Sequence, residues 1–303
     1  MQEAVVLLIM EIVGAPNVVV REPMKKHTTF MIGGPADLFI TPQTIQQLET
    51  VIKLLKQMKI PYFVMGNGSN LLVGDQGIRG AVIQLTGLKN CEICGNRVTA
   101  EAGILLSKLA NTAMKNALSG LEFAAGIPGT LGGALYMNAG AYGGEMKNVV
   151  ADVTYLDAQG LVQTIPGASC EFGYRCSRFQ AAGEIILGCT LQLKDGDMAA
   201  IQRETEELNR RRAEKQPLNK PSAGSTFKRP EGHFAGKLIQ DAALQGTRIG
   251  GAEVSEKHAG FIVNQGGATA ADVRKLIAHV QKTVLDQFGV ALEPEVKFIG
   301  EFE

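Results

Sequence analysis

The chain has 303 residues, and its 30 Lys and Arg balance 30 Asp and Glu for a formal charge of zero. An apolar share of 45% and a charged share of 20% exclude disordered and coiled-coil classes. The balanced charge also excludes a broad basic face for nucleic acid, and the length allows two or three domain cores.

The first apolar run, Ala4 to Met10, lies between Glu3 and Glu11 with no Lys or Arg before it. It is too short to span a bilayer and lacks the positive start of a signal peptide, so a packed N-terminal helix is expected within residues 1–27, with no membrane partner. Ala36 to Thr41 reads as a strand. Ile45, Leu48, Val51, Ile52, Leu55 and Met58 then recur at helical spacing, predicting a helix over 43–59. Tyr62 to Met65 follows as a strand, which makes a βαβ-like opening. Further strands are expected at 81–85 and 97–102, and a helix at 105–118.

Cys91 and Cys94 have CxxC spacing, but no second pair completes a zinc site. With Cys170, Cys176 and Cys189 the count is odd. We therefore expect free thiols in a reducing cytoplasm and no metal. Residues 149–194 read as strands and turns, with a hairpin corner at Ala158-Gln159-Gly160. Residues 197–215 read as a charged, solvated linker helix. New turn chemistry from Gln216-Pro217 to Pro221-Ser222 marks a C-terminal domain, which ends in a helix over 270–288 and a strand over 295–299. The expected domains are 28–196, with subdomains of about 28–90 and 91–196, and 197–303.

Two glycine-rich segments carry the chemistry. Gly66-Asn67-Gly68-Ser69-Asn70 follows a strand, yet matches neither the dinucleotide fingerprint nor the P-loop. Its residues alone leave two readings, an anion nest of backbone N–H groups or a tight turn without ligand. The second segment, 120–144, has eight glycines, among them Gly126, Gly129, Gly132, Gly133 and Gly140. Such backbone suits either close helix–strand packing or an extended, planar ligand. The pair of segments tips the balance towards a large nucleotide cofactor.

Taken in order, Ile32-Gly33-Gly34-Pro35-Ala36, the Gly66–Val73 loop and the run Ala125–Gly143 resemble the flavin-binding region of the UDP-N-acetylenolpyruvoylglucosamine reductase family. The resemblance continues through Gly173-Tyr174-Arg175, Ala223-Gly224-Ser225-Thr226-Phe227-Lys228, residues 249–264 and Glu295-Val296, so it covers nearly the whole chain from Thr28 onward. It implies an α+β fold: a two-subdomain flavin-binding fold of the vanillyl-alcohol-oxidase-like (PCMH) type, plus a smaller C-terminal α+β substrate-binding domain. It implies noncovalent FAD, since His27, His233, His258 and His279 all lie outside the glycine-rich segments. NADPH is the implied reductant, UDP-N-acetylglucosamine enolpyruvate the implied substrate, and a monomer is expected.

The same resemblance implies site residues. Arg175 stabilises the negative charge that builds at the substrate carboxylate, Ser225 gives the proton, and Glu295 polarises or relays it. Gly66, Asn67, Gly68, Ser69, Asn70, Gly126, Ile127, Gly129, Gly132, Gly133, Asn138, Gly140 and Ala141 would contact the cofactor. Tyr174, Lys215 and Arg229 would contact the substrate. The chain departs from the family pattern in two ways. Cys176 follows Arg175 where a polar residue is frequent, and the interval from Arg175 to Ser225 is short, as in the shorter type without a tyrosine-bearing insertion. An oxidase on the same cofactor fold and a non-enzymatic nucleotide-binding module are the competing readings.

Overall fold

The computed structural model describes residues 3–181 and 183–302. The chain forms two units, each assembled from three segments: Met1–Val19, Leu38–Asn67 and Ala81–Arg212 in the first, and Val20–Asp37, Gly68–Gly80 and Ala213–Glu303 in the second.

In the first unit, helix α1 (Glu3–Val13) turns Val5, Ile9 and Val13 inward. The helical reading of residues 1–27 ends there, because the β-branched run Val18-Val19-Val20 enters a strand, Val18–Pro23. Helix α2 (Ile45–Gln57) buries Leu48, Val51, Ile52 and Leu55, and packs against α1. It is shorter than the expected 43–59 at both ends. The Thr44 side chain caps it by accepting the N–H of Gln47, and Lys59 turns to a φ of 53°. Tyr62–Met65 runs parallel to Ile78–Gln84, which lies in sheet order between it and Pro35–Ile40.

Helix α3 (Leu106–Lys115) and the short helix α4 (Leu131–Tyr136) accompany a five-stranded antiparallel sheet. Its order is Val162–Pro166, Val150–Leu156, Ile185–Gln192, Arg97–Glu101, Cys91–Cys94. The hairpin corner holds because Asp157 Oδ1 accepts the N–H groups of Gln159 and Leu161 while Gly160 adopts a φ of 89°. In the strand Cys91–Cys94 the period of two sends the two thiols to opposite faces, one half-buried and the other exposed. Among the described residues no group of His, Cys, Asp and Glu is placed to hold a metal ion. Helix α5 (Met198–Lys215) leads on to residue 213, where the second unit's last segment begins.

The second unit contains a four-stranded antiparallel sheet in the order Ser222–Ser225, Phe261–Asn264, Ala252–Val254, Arg248–Ile249. Helix α6 (Ala235–Asp241) and helix α7 (Ala270–Phe288) share a core with it built on Ile239, Val254, Ile262, Val273 and Ile277. Two capping devices start α7. Thr269 and Asp272 form a reciprocal capping box, and the Asp75 carboxylate accepts the N–H groups of Ala270 and Ala271 at 2.8 and 3.0 Å. The last strand, Lys297–Ile299, pairs in parallel with Leu71–Val73. No helix among the described residues is long and apolar enough to cross a membrane.

Candidate active site

Within the first unit the two glycine-rich segments meet. A Cβ built on Gly66 would lie 2.1 Å from Thr130 Oγ1, so only glycine lets that backbone pass. Next to it, the Asn67 side-chain amide donates to the carbonyl of Pro128 at 2.7 Å. The second segment is stitched into the unit from within. Ile127 donates its N–H to Ala124 O and Gly132 to Ala102 O, so neither donor faces a ligand. Gly132 is also a packing glycine, because its Cβ would stand 2.9 Å from that of Ala102. Gly133 is different: a Cβ there would meet nothing nearer than Thr130 Oγ1 at 3.7 Å, which leaves open space beside it.

Past Asn138 the segment folds into a tight hairpin, with Gly140–Ala141 paired to Gly144–Glu145. Tyr142 and Gly143 at its tip take φ values of 53° and 88°, the left-handed pair that a primed turn requires. Gly126 lies under helix α5, where its Cβ would reach Asn209 Oδ1 at 2.6 Å and Arg212 Nη1 at 3.0 Å. Arg212 is itself buried, and its guanidinium sits 5.9 Å from the Tyr142 ring. A helix that reads as solvated thus delivers one charged side chain to the glycine-rich segment. Its signal was hidden in the run Arg210-Arg211-Arg212, where nothing local separates one arginine from the next.

Arg175 occupies a tight turn. Gly173 and Cys176 exchange backbone hydrogen bonds across it, and Arg175 takes the left-handed φ of 56°. Its guanidinium donates weakly to Gly140 O at 3.4 Å and lies 5.4 Å from the exposed Tyr174 ring. The buried Asn138 uses all its side-chain polar atoms inside the protein. It donates to Glu145 Oε2 at 2.7 Å and to Gly173 O at 3.0 Å, and it accepts the N–H of Lys147 at 2.9 Å. The Glu145 carboxyl is held below its usual range, chiefly by its bond to Lys147, with Asn138 and the charge of Arg175 adding to that.

The second unit joins three distant segments. Glu295 donates its N–H to Thr226 O at 2.8 Å, and Asn70 Nδ2 donates to the Glu295 carbonyl at 3.1 Å. Ser225 and Glu295 are therefore brought onto adjoining backbone, with Gly68-Ser69-Asn70 beside them. The Glu295 side chain is buried, while Ser225 is half-buried at the end of its strand. Gly224 precedes it at a φ of 78°, inside a register shift of the ladder, which turns the serine out of the regular alternation. Lys215 is exposed at the end of α5, and the exposed Arg229 stacks on Phe234 at 4.0 Å. Arg175 belongs to the first unit, and Ser225 and Glu295 to the second. His258 accepts the N–H of Gly260 and packs edge-on against Phe261, as a half-buried structural ring.

The first glycine-rich loop has the chemistry that the diphosphate of a flavin dinucleotide calls for. The backbone N–H groups of Asn67, Gly68, Ser69 and Asn70 find no acceptor among the described residues, which leaves a row of donors suited to phosphate oxygens. Glu122 Oε1, inside the second segment, is buried without a hydrogen-bond partner among them.

Known proteins resemble this chain over most of its length. Residues 36–166 match the model of an FAD binding domain, and residues 216–299 match that of the UDP-N-acetylenolpyruvoylglucosamine reductase C-terminal domain. The UDP-N-acetylenolpyruvoylglucosamine reductase of Caldanaerobacter subterraneus is 51% identical over 99% of this chain and 100% of its own. Its counterpart in Clostridium botulinum is 52% identical over 96% and 95%. The crystal structure of the Thermus caldophilus reductase superposes with a TM-score of 0.80 at 36% identity, covering 93% of this chain and 98% of that one. An alkyldihydroxyacetonephosphate synthase shares the fold alone, with a TM-score of 0.52 at 14% identity over 64% of this chain and 41% of its own. By family models, relatives and fold together, the chain belongs to the UDP-N-acetylenolpyruvoylglucosamine reductase family.

Proposed function

We propose that this protein reduces UDP-N-acetylglucosamine enolpyruvate to UDP-N-acetylmuramate in the cytoplasm, as a step of peptidoglycan precursor synthesis, with NADPH as reductant and FAD held noncovalently. The observation that carries this reading is the Glu295 N–H bond to Thr226 O, which supports a shared task for Ser225 and Glu295. Bound FAD supplies the relay of a hydride from NADPH to the methylene carbon of the enolpyruvyl group.

The chain's own residues do the rest. Hydride arrival builds enolate-like charge on the carboxylate-bearing end, and Arg175 holds that carboxylate through the paired donors of its guanidinium. The Ser225 hydroxyl gives its proton to the carbon next to the carboxylate, completing the saturated lactyl ether. Glu295, buried on the neighbouring backbone, orients that hydroxyl or restores its proton. Backbone donors from Asn67 to Asn70 hold the cofactor's diphosphate, and the open face at Gly133 admits its body. Tyr174, Lys215 and Arg229 contact the sugar nucleotide.

The test is an anaerobic titration of purified protein. NADPH should bleach the yellow flavin band, and the enolpyruvyl sugar nucleotide should restore it stoichiometrically. Reoxidation by oxygen but not by that substrate would replace this reading with an oxidase. A colourless protein that gains no flavin band on mixing with FAD would replace it with a nucleotide-binding module.

A further inference from the structure

The turn that carries Arg175 is built by contacts from one short stretch, 136–138. Ser177 Oγ and Gln180 Nε2 both donate to the Tyr136 carbonyl, at 2.8 and 3.0 Å, and Gln180 Nε2 also donates to the Arg175 carbonyl at 3.0 Å. On the other side of the turn Asn138 donates to Gly173 O at 3.0 Å, whereas the turn's own bond to that oxygen, from Cys176 N–H, is long at 3.4 Å. The second amide hydrogen of Asn138 goes to Glu145 in the hairpin whose Gly140 carbonyl meets Arg175. Asn138 is 1% exposed and adopts a φ of 45°, a conformation that asparagine tolerates better than most residues.

We propose that Asn138 is a positioning residue for Arg175, its amide bracing the Gly173–Cys176 turn against the Gly140–Glu145 hairpin so that the guanidinium is aimed at the substrate carboxylate. The inference rests on the carboxylate-binding role given to Arg175 above. The chemistry explains the residue type. Both partners of the amide nitrogen are acceptors, a carboxylate and a carbonyl, so only a side chain with two donors serves both. Aspartate has the same shape and would set acceptor against acceptor at each contact.

The test compares Asn138→Asp, Glu145→Gln, the double variant Asn138→Asp/Glu145→Gln and Arg175→Ala in the FAD-loaded protein. Calorimetry gives the affinity ratio of UDP-N-acetylmuramate, which carries the carboxylate, to UDP-N-acetylglucosamine, which lacks it. Asn138→Asp should lower that ratio about tenfold, as a misaimed guanidinium would, and hydrogen exchange should speed up in the peptide 171–181. In the double variant the 138–145 bond is remade with donor and acceptor reversed, while Gly173 O still lacks the donor that the Asn138 amide supplied. Its Tm should recover and its affinity ratio should stay low. If Asn138→Asp keeps the wild-type ratio while Arg175→Ala loses it, the proposal fails and the role of Arg175 stands. Recovery of the ratio together with Tm in the double variant would reduce Asn138 to a stabilising residue and also overturn it. If Arg175→Ala keeps the ratio, the carboxylate-binding reading falls first and takes the proposal with it.

Discussion

Gly66→Ala tests the junction of the two glycine-rich segments most directly. The added methyl would lie 2.1 Å from Thr130 Oγ1 and 3.2 Å from Thr130 Cβ, where ordinary contact begins near 3.4 Å. Gly66 has no positive φ, so the clash is the whole penalty. Thr130 is 2% exposed and cannot swing its hydroxyl into solvent. An overlap of this kind costs about 1–3 kcal/mol. Thr130→Ala removes the offending oxygen, and it sacrifices no side-chain cap, since Thr130 makes none for α4. The double variant then retains only the 3.2 Å contact, which small backbone shifts relieve. Chemical denaturation of all four proteins should give a favourable coupling of about 1–2 kcal/mol, well above the roughly 0.5 kcal/mol scatter of independent sites. Flavin fluorescence should show faster FAD release from Gly66→Ala alone. Additive losses, with Gly66→Ala as harmful in the Thr130→Ala background as in the wild type, would refute the claim that this contact joins the segments.

Three other perturbations have definite expected outcomes. Ser225→Ala should leave flavin reduction by NADPH within about twofold and slow reoxidation by the enolpyruvyl substrate by about 10²-fold or more; stopped-flow absorbance separates the two halves, and equal losses would contradict the proton-donor role. Burial holds the His258 imidazole below its usual pKa, so the unfolded chain binds the extra proton first. Its contribution to stability is present above about pH 6.5 and is lost as pH falls from there through the lower pKa of the folded imidazole; His258→Gln should flatten this part of a Tm-against-pH profile. Exposed Cys94 and Cys176 should react with a thiol reagent in the native protein. Cys170, pushed up to about 11 by burial, and Cys189, raised further still, should react only on unfolding, which mass spectrometry of tryptic peptides resolves.

Local elements were legible where one periodicity or one turn device decided them. Helix α2 followed from its apolar stripe, Tyr62–Met65 from a short β-rich run, and the corner at Asp157–Leu161 from Gly160. The helical expectation for residues 1–27 fails over 18–23 because that strand takes its partner from elsewhere in the chain. The site divides along similar lines. Its glycine density and the order of its motifs could be read directly, since both lie along the chain. Which glycine serves packing could not: Gly132 and Gly133 are neighbours in sequence, yet only the first abuts Ala102. From sequence Asn138 is a cofactor contact for the same reason, because nothing near it along the chain announces a bond to Gly173. Arg212 hides similarly among identical neighbours on α5.

The interleaving of segments sets an order in which this protein can be made. Residues 20–37 and 68–80 leave the ribosome early, but their partners come from the final stretch: Leu71–Val73 waits for Lys297–Ile299, Thr29 for Ser222, and Asp75 for the start of α7. Until then these pieces can pair with one another, as Gly34 does with Gly74, but not with the strand and helix that complete their core. A nascent chain halted after α5 would display the apolar side chains of Phe30, Ile32 and Leu72, which the complete core buries. Neither half can be cut out as one continuous stretch of gene, and premature termination leaves a sticky fragment rather than a smaller working domain.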